Sequence, residues 1–288
     1  MTAAVATVLD DDLAGLDALD LPEGAGRGRA ATLWAATWPK LAAVAIALGL
    51  WQVVVLSGVK PSFVLPGPGP VFGELWSRVA DGTLVTASAI TLRRAATGFA
   101  LAVVIGALVG TAVARLRHVR VAIGSLITGL QTMPSIAWFP LSLLLFRRSE
   151  AAILFVVVLG AAPAVANGLI SGIDHVPPLL LRAGRSLGAR GPSLYRHVIL
   201  PAALPAFVGG LKQGWAFAWR SLMAGELLVI LANKPSIGVQ LQVARDFADA
   251  KALLATMVVI LLIGIVVDSV VFGTAERAIR RRRGLVPG

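Results

Sequence analysis

The chain lacks cysteine altogether, which excludes a disulfide framework, thiolate metal sites and a cysteine nucleophile. Charge is also scarce. Only 14% of residues are Asp, Glu, Lys or Arg, against about 25% in an ordinary soluble domain. No G-x-x-x-x-G-K-[ST] phosphate loop is present, so no nucleotide site is expected on this chain. The three histidines, His118, His175 and His197, form no metal pair of the H-E-x-x-H kind, which argues against a metalloenzyme. The N-terminus opens with Asp10, Asp11, Asp12, Asp17 and Asp20, whereas a secretory leader opens basic and then apolar.

What the chain has in place of charge is apolar length. Hydrophobic residues make up 57% of the 288 positions, and the mean hydropathy is +0.83. The apolar residues gather into about six runs of membrane-spanning length. They start near Leu41, Thr86, Val121, Ala151, Ala202 and Ala252. The expected fold is therefore an all-α integral membrane protein of about six transmembrane helices with a two-helix cytoplasmic loop. Residues 1–37 are expected to be a disordered tail, 38–276 the membrane domain (core about 84–272), and 277–288 a basic tail. Pro61, Pro66, Pro68 and Pro70, interleaved with Gly67 and Gly69, mark an extended loop followed by a short amphipathic stretch. Ala232–Lys251 is expected to be a polar loop. The net charge of +11 sits mainly at the ends of the apolar runs, so it reports topology rather than nucleic-acid binding. With the N-terminus inside, the inner segments hold the larger share of Lys and Arg, among them Arg115, Arg117, Arg120, Arg182, Arg185, Arg190 and Arg280–Arg283. Both termini are accordingly expected in the cytoplasm.

This topology places the segment Ser171–His197, between the fourth and fifth runs, on the inside. Pro177 and Pro178 can open a helix, and Leu179, Leu180, Ala183 and Leu187 recur at helical spacing. Gly188 and Gly191-Pro192 end it, and a second short helix, Ser193–Val198, leads to Leu200-Pro201. The residues alone allow two readings. One is an amphipathic linker resting on lipid headgroups. The other is a knob that projects into a groove on a partner.

The same segment resembles a signature of bacterial ABC-importer permeases, E-A-A-x3-G-x9-I-x-L-P. Arg182-Ala183-Gly184 stands at E-A-A, Gly188 at the glycine, Val198 at the isoleucine, and Leu200-Pro201 at the end. Arg182 and Gly184 depart from the first and third letters. Trp51-Gln52, Leu65-Pro66-Gly67-Pro68, Thr91-Leu92-Arg93-Arg94 with Gly98-Phe99, Gln131-Thr132-Met133-Pro134 with Pro140-Leu141, and Glu226 are similar to the branch that imports sulfonates, taurine or nitrate. The resemblance implies a permease of the type I importer kind. It implies a separate cytoplasmic ATP-binding subunit docked on Arg182–Pro201, with ATP used there and no cofactor on this chain. It also implies an extracytoplasmic solute-binding protein and a second permease copy, in a homodimer.

Polar residues inside the apolar runs are candidates for the solute pathway, because an ionisable side chain in a span is costly unless it meets protein or water. These are Arg220 and Glu226 in the fifth run, and Gln131 and Thr132 beside the helix-breaking Pro134 in the third. Arg220 reads either as a structural ion-pair partner on another helix or second copy, or as a counter-charge for an anion. Glu226 reads either as a structural ion-pair partner or as a pathway group. Pro134 reads either as a packing kink or as a gate. Asp268 is expected to pair with Arg277 or reach headgroups, and Lys212 to snorkel. Gly98, Ala102, Gly106 and Gly110 put small side chains on one side of the second run, which suits close helix packing. The alternative function is a transporter driven by an ion gradient, which would call for paired inverted repeats that the sequence does not display.

Overall fold

The computed structural model describes residues 29–115, 117–231 and 234–282, and every regular element among them is helical. The chain divides into two units, Met1–Lys60 and Pro61–Gly288. In the first unit, helix α1 runs Arg29–Leu56, and its stretch Thr37–Leu56 is long and apolar enough to cross a bilayer. Residues 29–37, expected in the tail, are thus already helical. The rest of that expected tail lies outside the described residues.

The second unit begins with α2, Pro68–Ala80, which opens on prolines that need no intrahelical N–H partner. Asp81 then accepts hydrogen bonds from the Thr83 hydroxyl (2.6 Å) and backbone N–H (2.9 Å), which lower its carboxyl pKa. Helix α3 follows, Thr83–Arg115. Helix α4, Arg117–Thr132, stops at the proline. A 3₁₀ turn, Ser135–Trp138, and helix α5, Phe139–Phe146, continue at 101° to it. The third apolar run is therefore not one straight span but a sharply bent pair. Pro134 has no N–H to give, so the turn cannot close and the chain leaves the helix there.

Helix α6, Glu150–Asp174, is the most deeply buried element. Helix α7, Pro178–Ser186, is followed by a single turn, Pro192–Leu194, a π-helical turn, Tyr195–Ile199, and the long α8, Leu200–Leu228. The expected polar loop after it contains a further helix, α9, Ile237–Asp246. Helix α10, Ala250–Val266, passes through a second π turn, Val267–Phe272, into α11, Gly273–Arg282. The expected basic tail is thus helical as far as Arg282, and 283–288 lie outside the described residues.

Helix α6 lies between α3 and α8. Its approach to α3 uses the glycine stripe expected from the sequence. A Cβ placed on Gly98 would stand 2.7 Å from Val157 Cγ1, and one on Gly106 2.6 Å from the Ala162 carbonyl oxygen. The approach to α8 uses Gly168 and Gly210, whose backbones touch, and Gly172, where a Cβ would meet the Ala203 carbonyl at 2.7 Å. Phe99 meets Trp215 edge-on at 5.3 Å between ring centres, and Trp215 stacks on Trp219 at 6.2 Å, tying α3 to α8 past the edge of α6.

On α8, Lys212 binds Asp268 (3.3 Å) and Glu276 (3.9 Å), while Arg277 Nε donates to the Gly273 carbonyl. The expected Asp268–Arg277 pair is thus replaced by a bridge from α8 to the α10–α11 rod.

Gly106→Ala should destabilise the purified protein, by about 1–3 kcal/mol for an overpacked contact against backbone. Gly124→Ala, where nothing lies within 4 Å of the new atom, should leave it unchanged. Thermal melting in detergent compares the two, and equal melting curves would contradict the packing described.

Candidate functional site

Two polar or projecting features stand out from the apolar bundle. The first is the segment between α6 and α8. Val176, Leu194 and Ile199 form a small core of their own, with Ile173, Leu181, Tyr195 and Val198 packed against it. Helix α7 is clamped on this core at Gly184, which is buried. A Cβ there would stand 2.8 Å from Val198 Cγ2 and 3.0 Å from Leu194 Cδ1. The glycine at the signature's third letter therefore lets α7 sit closer to the returning chain. Gly188 takes φ +85° and its N–H donates to the Arg185 carbonyl (3.0 Å), while Ala189 N–H donates to the Gly184 carbonyl (2.9 Å). Gly191 takes φ +52°. These two left-handed positions make the elbow, and an L side chain would strain both.

With Leu181 and Gly184 turned inward, the other apolar residues of α7 are left outside. Leu180, Ala183 and Leu187 face His197, Val198, Pro201 and Ala202 across an open groove, and Leu187 is 88% exposed. Arg182 is exposed on α7, and Leu200 is exposed where α8 starts. Pro201 sits in the first turn of α8, where its missing N–H costs nothing. The segment is thus an ordered two-helix knob with an uncovered apolar stripe.

The second feature is a buried charge cluster at the opposite ends of α6 and α8. Glu226 is fully buried and Arg94 is 4% exposed. Arg94 Nη1 donates to Glu226 Oε1 at 2.9 Å. The Thr91 hydroxyl donates to Glu226 Oε2 at 2.9 Å, and the Gly238 backbone N–H donates to the same oxygen at 3.0 Å. Thr91 in turn accepts from the Ile237 backbone N–H at 3.0 Å. Arg94 Nη2 reaches Glu150 at 3.2 Å, and Lys234 Nζ binds the same Glu150 oxygen at 2.5 Å. The chain of charge runs from the exposed Lys234 inward to Glu226 and pins α3, α6, α8 and the start of α9 together. Arg94 Nε is buried without a hydrogen bond among the described residues. Of the two readings open for Glu226, the geometry is that of a structural ion pair, since no part of its carboxylate faces open space.

Arg94 and Thr91 were the partners that sequence reasoning missed. Arg94 counts as a loop charge when it is tallied by its distance from the span's start. The available signal was the spacing Thr91-x-x-Arg94, which puts both on one face of a predominantly apolar helix.

The remaining pathway candidates lie elsewhere. Gln131 accepts from Asn167 Nδ2 at 2.5 Å, joining α4 to α6. The Thr132 hydroxyl is spent on the Gly129 carbonyl of its own helix (2.9 Å), and Pro134 is exposed at the bend. Arg220 is exposed, six residues from Glu226 and not bonded to it, with its guanidinium 5.3 Å from the centre of the Phe217 ring. Ser135 at the bend and Ser221 beside Arg220 both lie against Gly160, halfway along α6. The bend and Arg220 are therefore at one level of the bundle.

A sequence profile described as binding-protein-dependent transport system inner membrane component matches residues 102–283. The taurine transport system permease protein of Escherichia coli is 29% identical over 258 residues, covering 85% of this chain and 90% of the relative. The riboflavin transport system permease protein of Chloroflexus aurantiacus is also 29% identical, over 248 residues, covering 85% of this chain and 91% of the relative. Among solved structures, a chain of the inward-facing MetNI methionine ABC transporter superposes with a TM-score of 0.57 at 19% identity. That match covers 68% of this chain and 95% of the other, and it carries the fold alone.

Replacing one member of the buried pair leaves the other charged without its nearest counter-ion, which typically costs about 3–5 kcal/mol. Arg94→Met and Glu226→Met should each lower the melting temperature sharply, and the double variant should recover much of the loss. A double variant no more stable than the worse single one would show that the two charges do not act as a pair.

Proposed function

The chain belongs to the family of binding-protein-dependent transport system inner membrane components, the permease subunits of ABC importers, and on that premise we propose that it forms the membrane pathway for a small anionic solute such as a sulfonate, taurine or nitrate. Permeases of this family work with an ATP-binding subunit, and the knob is the part of this chain suited to receive one. The observation that carries the reading is the stripe Leu180, Ala183 and Leu187, held out on a rigid two-glycine elbow and covered by nothing among the described residues. A helix displaying such a stripe buries it in a partner's groove. ATP would be hydrolysed on that subunit, and this chain would bind no cofactor. The knob would face the cytoplasm together with both termini. A solute-binding protein would deliver cargo to the other face, and two copies of the chain would enclose the path.

The anion is supported by Arg220. It is a permanent cation in a membrane helix, exposed, unpaired with any carboxylate among the described residues, and level with the bend at Pro134. A guanidinium there can supply charge-assisted hydrogen bonds to an oxyanion. The taurine relative carries a solute with such a group and the riboflavin relative does not, so the test must separate them.

Leu187→Asp should abolish co-purification of the ATP-binding subunit, with unchanged yield of folded permease, since Leu187 supports no internal packing. Retained co-purification would remove the knob from docking. Arg220→Ala should weaken uptake of the anionic solute by about tenfold or more in reconstituted vesicles, the loss expected of a charged hydrogen bond. An unchanged uptake rate would remove Arg220 from the path, and import of an uncharged solute alone would overturn the anion.

A further inference from the structure

Helix α2 is amphipathic the wrong way round for a helix in water. Its two charged residues, Glu74 and Arg78, turn toward the protein. Arg78 Nε binds Glu74 at 2.7 Å, its Nη1 donates to Gln240 of α9 at 3.4 Å, and its Nη2 lies 3.9 Å from Asp249, which caps α10. Val71 is buried on the same side. The opposite face holds Phe72, Trp76 and Val79, spaced i, i+4 and i+7, so they form one line along the helix. All three are exposed, Trp76 at 73%, and no charged residue stands among them.

We propose that α2 is a membrane-interface foot, lying flat on the bilayer with the Phe72–Trp76–Val79 line sunk among the lipid headgroups and upper acyl chains. Three features commit the line to lipid rather than to a protein partner. First, α2 has 13 residues, about 20 Å of helix, too short to cross a hydrocarbon core of about 30 Å, and only one side of it is apolar. Second, α2 packs against α3 and α10, and Arg78 reaches the cap of α10, so it sits where two spans end. The exposed apolar residues near the starts of those spans, such as Val85 of α3, extend an uncharged surface beside it. Third, Trp and Phe with no charge between them are the side chains that favour this depth, where an indole keeps its N–H near water and its rings among lipid. Arg78 then links the foot to α9, whose first turn covers Glu226 through Gly238, so the depth of α2 in the bilayer fixes the position of α9. This inference rests on the chain being a membrane protein and not on what it transports.

The cysteine-free chain allows a direct test. Single variants Phe72→Cys, Trp76→Cys, Val79→Cys, Gly73→Cys and Ser77→Cys are spin-labelled in the full-length protein and reconstituted into phosphatidylcholine–phosphatidylglycerol nanodiscs. Power saturation then compares collisions with oxygen, which concentrates in lipid, and with a water-soluble nickel chelate. The oxygen-to-nickel ratio should be several-fold higher at 72, 76 and 79 than at 73 and 77. High nickel access at all five would show the line facing water. Low access to both reagents at 72, 76 and 79 would show it covered by protein, a second copy or the first helix. Either result overturns the proposal. A label-free check compares native protein with Trp76→Phe in lipids brominated just below the headgroup. The native protein should lose more fluorescence, and identical quenching would also overturn the foot.

Discussion

A bilayer gives helices no hydrophobic reason to stay together, because lipid tails are as apolar as the side chains they replace. What can hold such a bundle is backbone brought close enough for dense contact, and here that contact converges on α6. Gly98 and Gly106 bring α3 against one side of it, and Gly168, Gly210 and Gly172 bring α8 against the other. The bulky residues sit beside these crossings rather than in them, as Phe99, Trp215 and Trp219 show. The other elements of this unit are placed from this three-helix slab. The knob leaves one end of it, and the charge cluster closes the other.

The two ends are stabilised by different physics. At the knob, order comes from a local apolar core and two left-handed glycines, so the projecting stripe is rigid without touching the slab's polar groups. At the other end, order comes from charge. Arg94 and Glu226 neutralise each other in a buried position, and the Gly238 backbone N–H of α9 with the Thr91 hydroxyl completes the carboxylate's shell. A buried pair of this kind adds little net stability compared with apolar packing, but it punishes misalignment. It therefore fixes the register of α3, α8 and α9 more than it strengthens their association.

Much of this was readable from the residue order, because the rules involved are local. The small-residue stripe of α3 appears as a repeat within one helix, and its consequence does not depend on which helix it meets. The elbow at Gly188 and Gly191 and the break at Pro134 follow from single residues. What could not be read is what depends on two distant segments. Arg94 and Glu226 are 132 positions apart, and nothing near either names the other. Helix α9 was hidden because its polar residues, such as Gln240, read as loop until α2 and α3 supply surfaces for them. The 101° at Pro134 was likewise invisible, since a proline sets where a helix stops and the packing of α5 sets where the chain goes next. Gly184 is an intermediate case. Its departure from the signature is plain in the sequence, but its reason is the approach of Val198 and Leu194 from beyond the elbow.

The bend between α4 and α5 has an electrostatic consequence. A continuous span keeps its peptide dipoles paired end to end and presents partial charge only at its two ends. Interrupting it halfway along α6 creates two more ends inside the bundle, the C-terminus of α4 at Thr132 and the start of the turn at Ser135. The C-terminus of α4 carries the equivalent of roughly half an elementary negative charge, and the unpaired N–H groups at the start of the 3₁₀ turn carry a smaller positive one. These charges belong to the main chain. They do not titrate, so the polarity they set stays the same at any pH the protein encounters for as long as Pro134 keeps the helix broken.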